Sequence, residues 1–278
     1  MNKILVPTDF SEHSTYALEV AASLARQNKS ELVLLHMMGL SEAILTKDSS
    51  QEAAEAHYYM KLTQKRFQEF RDQPYLKDLK VHEMVQNYKI FSEINEVAME
   101  VKADLIVMGS HGASGISGIF VGSNTEKVVR TAKIPVLVVK KQRQEYKPHR
   151  VVYACDYKIE DLSAYTSALK FFSRWPVDIH VVYVNLPTEK FKSSAEIYKE
   201  RDLFFKVAHR MEIPANVTSH VVCDYSIEGG LFQYAEAVGA DIIAMPTHGR
   251  KGLAHFFKGS IGEDVANRAE IPVLTIQV

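Results

Sequence analysis

Short apolar runs alternate with amphipathic stretches from one end of this chain to the other. Lys3 to Val6 reads as a strand, Ser11 to Gln27 as a helix with Ser11 at its cap, and Glu31 to Met37 as a second strand. A helical period then predicts a long helix over Glu52 to Arg71, a strand over Val81 to Gln86, a helix over Phe91 to Val101 and a buried-type strand over Asp104 to Met108. A helix over Asn124 to Ala132 and a strand over Val136 to Val139, entered through Pro135, close the series. Such alternation predicts an α/β fold, with parallel strands joined by right-handed crossovers and helices on both faces of the sheet.

The pattern occurs twice. Lys102 to Lys140 aligns without a gap on Gly239 to Gln277, with 17 of 39 positions identical. At the front, KILVPTDF from Lys3 lies on RVVYACDY from Arg150, which sets Asp9 opposite Asp156. The offset is 147 at the front and 137 at the back, so the first copy carries ten extra residues, around Glu42 to Asp78. The polar stretch from Gln142 to His149, with Pro148 discouraging a helix, divides the chain into a domain over 1–141, a linker over 142–149 and a domain over 150–278. Two domains suit a 278-residue chain.

Composition narrows the function. Apolar residues at 46% and charged residues at 24% are those of a globular protein, and a net charge near −1 gives no global field for nucleic acid or an anionic membrane. No apolar run approaches the roughly 20 residues that span a bilayer, and the few apolar residues before Pro7 are too short for a secretory signal, so a cytoplasmic location is expected. Cys155 and Cys223 form no metal-ligand pattern and read as free thiols. Both fall at carboxyl ends of strands in the second half, where they could approach each other across its crevice as a redox pair.

The candidate chemistry sits at one edge of each sheet. The strand ending at Met108 runs into Gly109-x-x-Gly112, and Gly122 and Ser123 follow at the start of a helix. Glycines permit close approach of backbone to ligand, and amides at a helix N-terminus bind phosphate. Asp9, just past the first strand, lies at the same edge, where a carboxylate accepts hydrogen bonds from ribose hydroxyls. Ligands of open α/β sheets bind there, outside the carboxyl ends of the strands.

The run G-x-x-G-x9-G-S, the V-P-T-D-x-S after the first strand and the closing I-P-V-L-V-V resemble the universal stress protein family, and the resemblance covers nearly the whole chain twice. It implies two tandem Rossmann-like domains of the adenine-nucleotide α-hydrolase-like type, each a five-stranded parallel sheet, and a stress-response or signalling protein that binds ATP or a related adenine nucleotide. Carried onto matching positions, the nucleotide contacts of the first domain are Pro7, Thr8, Asp9, Met37, Met108, Gly109, Gly112, Gly122 and Ser123, with Asn124 and Thr125 beside the phosphates. Those of the second are Asp156, Val184, Gly249, Arg250, Gly259, Ser260 and Ile261. Mg²⁺ is implied only as a companion of triphosphate, because no carboxylate cluster of its own is visible.

The second copy departs from the pattern. Pro246 replaces Gly109 and has no amide proton, Cys155 replaces Thr8, and Gly262 replaces Thr125. Its loop carries Arg250, Lys251 and Lys258, where the first copy has no cation. Close approach and backbone donors are geometric requirements, so the first site is favoured. The alternative is a nucleotide-free interaction scaffold of the same fold. An enzyme is disfavoured by the lack of a Walker loop, pyrophosphatase loop or ligase signature, and a dinucleotide oxidoreductase because the glycines follow a late strand. His111 and His248 recur in the loops and read as turn-ordering residues rather than acid–base groups. Tyr58, Tyr59, Phe67 and Phe70 on the long helix read as core, with a partner-binding face as the other reading. The closing strands, Ile134 to Val139 and Ile271 to Ile276, are apolar edges that invite pairing of the two halves within the chain or with a second copy as a homodimer.

Overall fold

The computed structural model describes residues 1–37, 49–86, 93–110, 123–189, 191–210, 212–247 and 271–277. They form two compact units, one over most of residues 1–146 and one over most of 147–278, with Pro135–Val138 grouped in the second.

In the first unit, β1 (Lys3–Pro7) is flanked by β2 (Glu31–Met37) and β4 (Leu105–Gly109), and β3 (Val81–Gln86) lies outside β2, all paired in parallel. Helix α1 (Glu12–Asn28) begins at Ser11, whose hydroxyl accepts from the Ser14 N–H, and ends at Lys29 in the left-handed region. Ala17, Ala21, Ala22 and Ala25 are fully buried on it, and their small side chains let the helix lie close to the sheet. Helices α2 (Ser49–Arg71), α3 (Glu93–Glu100) and α4 (Ser123–Thr131) complete the set. At 23 residues α2 is longer than its 16-residue counterpart in the second unit, which accounts for most of the first copy's surplus. The expected linker is not a bare tether. Tyr146 is buried, its N–H donates to Ser23 Oγ at 3.2 Å and its carbonyl accepts from Gln27 Nε2 at 2.7 Å, both on α1.

The second unit repeats the order with β6 (Arg150–Ala154), α5 (Leu162–Phe172), β7 (Asp178–Asn185), α6 (Ser194–His209), β8 (Val217–Cys223), α7 (Ile227–Ala237), β9 (Ile242–Thr247) and β10 (Val273–Gln277). The ladders β8–β7–β6–β9–β10 are all parallel, which gives the expected five strands. A sixth, β5 (Val136–Val139), pairs antiparallel with β10 in the register Val138 with Val273 and Val136 with Thr275. Strand β8, paired with β7 alone among the described residues, lies at the rim of this unit's sheet.

Helix α6 opens with a reciprocal capping box between Ser193 and Glu196. Its buried Phe204 contacts Tyr157 and Tyr165 edge to face at 5.9 and 5.2 Å, with Phe205 alongside. Truncation of a ring so enclosed removes its transfer energy and leaves a cavity. Phe204→Ala is expected to cost about 3–5 kcal/mol, whereas Leu203→Ala, on the exposed side of the same helix, should change stability by less than about 0.5 kcal/mol; chemical denaturation checks both.

Candidate functional site

The carboxyl end of β1 turns into α1 through two nested side-chain bonds. Thr8 Oγ1 accepts the Phe10 N–H at 3.0 Å, and Asp9 Oδ1 accepts the Ser11 N–H at 3.0 Å. Each is a short polar side chain bonding the backbone two residues on, the geometry for which Thr and Asp are suited in turns. Phe10 is thereby placed at φ 62°, a costly conformation for a bulky side chain. Its ring is held by His36 at 4.6 Å, Phe70 at 5.1 Å and Phe67 at 5.2 Å, with the Arg66 guanidinium 5.7 Å above it. Phe67 is thus core, as its spacing suggests, whereas Tyr58 on the same helix is exposed.

The second copy builds the same turn from different atoms. Cys155 Sγ accepts the Tyr157 N–H at 3.4 Å, Asp156 Oδ1 accepts the Lys158 N–H at 3.2 Å, and Tyr157 sits at φ 57°. Its ring is stacked on Tyr183, the counterpart of His36, at 5.8 Å. Cysteine is a weak acceptor, yet it preserves the turn that Thr8 makes in the first copy. The left-handed aromatic after each Asp was not read from the sequence; the signal available was the recurrence of D-F and D-Y at matching positions.

Asp9 and Met37 are half-buried at the ends of β1 and β2, while Pro7, Thr8 and Met108 are buried. The Thr8 N–H donates to Leu35 O at 2.8 Å, its hydroxyl donates to Ser14 Oγ at 3.1 Å, and its carbonyl bonds His36 Nδ1 at 2.8 Å. Burial lowers the His36 pKa, against the Thr8 hydrogen bond, and the Arg66 charge pushes the same way as burial. Asp9, Phe10, Ser11, Arg66, Glu69 and Phe70 line a cleft of about 260 Å³.

Gly109 has a structural reason of its own. A Cβ there would lie 2.7 Å from the His13 carbonyl oxygen, so β4 and the first turn of α1 meet backbone to backbone. Thr125, expected beside the phosphates, is buried in the first turn of α4 and donates its hydroxyl to the Gly109 carbonyl at 2.9 Å. That bond ties the N-terminal turn of α4, which also contains Ser123 and Asn124, to the end of β4. Gly112 and Gly122 lie outside the described residues, as do Gly249, Arg250, Gly259, Ser260, Ile261, His111 and His248.

The two crevices differ in charge. Lys158 stands where the first copy has Ser11, and its ammonium is paired with Asp156 Oδ2. Burial opposes ionisation of Asp156, but hydrogen bonds from Lys158 and Asp161 outweigh it and hold the carboxyl below its usual range. Val184, the counterpart of Met37, lies against α7, where a Cβ on Gly230 would come within 2.8 Å of its methyl. Asn185 next to it is buried, with its amide bonded to both backbone groups of Lys192. Among the described residues no group of three His, Cys, Asp or Glu side chains converges as a metal site.

The cysteine pair is corrected by register. Cys155 follows Ala154, which pairs with Val182, and Cys223 pairs with Asn185, so the two lie two strands and two residues apart. That is about 11 Å, beyond the roughly 7 Å that a disulfide spans. Both are free thiols, and burial pushes Cys155 up to about 12.

A model of the universal stress protein family matches residues 1–140 and again 147–277. Universal stress protein MJ0531 of Methanocaldococcus jannaschii is 33% identical over 157 residues, 51% of this chain and 84% of that protein. MJ0577 of the same organism is 31% identical over 154 residues, 50% of this chain and 95% of its own length. The crystal structure of a universal stress protein from Archaeoglobus fulgidus superposes with a TM-score of 0.64 at 20% identity, covering 99% of this chain and 96% of that one, and shares the fold.

Two outcomes are expected from this geometry. Gly109→Ala should destabilise the first unit by about 1–3 kcal/mol, because the clash is with backbone, read as a fall in thermal midpoint. At pH 8 a thiol reagent should label the exposed Cys223 first and Cys155 much more slowly than in the denatured chain, since burial keeps the Cys155 thiol protonated.

Proposed function

This chain belongs to the universal stress protein family in both of its repeats, and from that premise we propose that it is a stress-response protein that binds ATP or a related adenine nucleotide in the crevice of its first repeat. The observation that carries the reading is the turn at Thr8 and Asp9. It sets a half-buried carboxylate at the end of β1, beside Met37 at the end of β2, in the unit where Thr125 ties the first turn of α4 to β4. Those residues fit an adenosine. Asp9 would accept from ribose hydroxyls, Met37 would lie against the base, and the α4 amides with Ser123 would face phosphate. A triphosphate would bring Mg²⁺ with its own oxygens. The protein then acts through occupancy rather than turnover, in the cytoplasm. No described helix is long and apolar enough to cross a membrane.

The second repeat favours the other reading, a nucleotide-free scaffold. Its Asp156 is already engaged by Lys158, and Pro246 supplies no amide where Gly109 does. We read the β5–β10 ladder as an intramolecular substitute for pairing of closing strands between two chains.

The test is calorimetric titration with Mg²⁺-ATP, alongside mass spectrometry of small molecules released from the purified protein. Wild type and Asp156→Ala should bind alike, Asp9→Ala should bind at least about tenfold more weakly, and no phosphate should be released. Equal affinity in Asp9→Ala would move the site, and no heat at millimolar nucleotide would leave the scaffold reading for both repeats.

A further inference from the structure

Strand β8 ends the described sheet of the second unit with its outer side unpaired among the described residues. The Ile179 N–H donates to Asn216 O and the Asp224 N–H to Asn185 O, so the even-numbered residues of β8 turn their backbone groups toward β7. Alternation then points the N–H and C=O of Ser219, Val221 and Cys223 outward. Exposed edges are ordinarily blunted by lysine, proline or a bulge. This one reads Val-Thr-Ser-His-Val-Val-Cys, with none of them.

Beside the start of that edge, α6 forms the wall of a cleft of about 470 Å³. Phe205 and Val217 supply apolar surface, and Arg201, Lys206 and Arg210 supply cations. Arg201 is compensated by Asp202, which it bonds at 2.7 Å. Lys206 and Arg210 are exposed and, among the described residues, have no ion-pair partner. Burial lowers the pKa of His209, also in the wall, and so disfavours its charged form. The cleft therefore carries a net positive charge on an amphipathic surface that adjoins unsatisfied backbone donors and acceptors.

We propose that this edge and cleft form a docking surface for an extended acidic segment of a partner protein, which adds a strand along β8 and sets acidic side chains against Lys206 and Arg210. Backbone hydrogen bonds to Ser219, Val221 and Cys223 fix its register, and alternate side chains enter the cleft, the mode by which edge strands capture peptides. The surface is independent of the nucleotide crevice of the first repeat, so either reading can fail alone.

The test uses the full chain and a fluorescein-labelled ten-residue peptide of alternating Glu and Val, followed by fluorescence anisotropy. Saturable binding is expected, weakening with added salt. Val221→Pro removes an outward N–H without removing a β7–β8 bond and should weaken binding about fivefold to tenfold. The double variant Lys206→Glu, Arg210→Glu should weaken it at least about tenfold and keeps the test decisive if the proline variant fails to fold. ATP affinity should be unchanged in both. No saturable binding, equal binding by the charge-reversed protein, or equal binding of an alternating Glu-Pro peptide, which cannot add a strand, overturns the proposal. So does a dimer of the chain that Val221→Pro dissociates while the peptide fails to bind.

Discussion

What the carboxyl edge of each sheet presents depends on how the first strand turns toward its helix. A parallel strand hands the chain to a helix that crosses back over the sheet, and after β1 and β6 that reversal passes through a left-handed residue. Glycine would be the cheap solution. Both copies use an aromatic instead, Phe10 and Tyr157, and offset the backbone strain by enclosing the ring. The polar residues just before it bond the backbone of the turn, so the carboxylate at each strand end is itself part of what shapes the loop.

That economy explains how the second copy could change chemically without losing its shape. Sulfur replaces the hydroxyl of Thr8, Tyr183 replaces His36, and the turn stays within a few degrees of φ. The change lies in what surrounds the carboxylate. One lysine in place of Ser11 makes Asp156 half of an ion pair. Such a pair contributes little to stability, because both partners are substantially exposed.

Most of the fold was legible because it is written in periods. The predicted strand over Lys3 to Val6 ends one residue early, the predicted helix over Phe91 to Val101 is observed over Glu93–Glu100, and the strand over Asp104 to Met108 slips by one. Ser11 caps α1 as its residue type suggests. Period says nothing of what a side chain meets across the fold. Thr125 bonds the Gly109 carbonyl, Val184 lies against Gly230, and Gly109 itself answers to His13, a residue near the other end of the unit. The reading of both cysteines as free thiols holds, and the redox alternative fails for the same reason. Two residues at strand ends share an edge, but only the register says how far apart along it they stand.

The residues Pro135–Val138 carry a consequence for where the chain can be divided. By sequence they close the first repeat, yet by proximity they belong with the second unit, where β5 is hydrogen-bonded to β10. Meanwhile Tyr146, past the last strand of the first repeat, is fastened to α1. The seam of the duplication and the seam of the folded body therefore do not coincide. A truncation placed by the repeat alone would separate Pro135–Val138 from the residues among which proximity groups them, so a boundary read from sequence and a boundary read from packing call for different cuts.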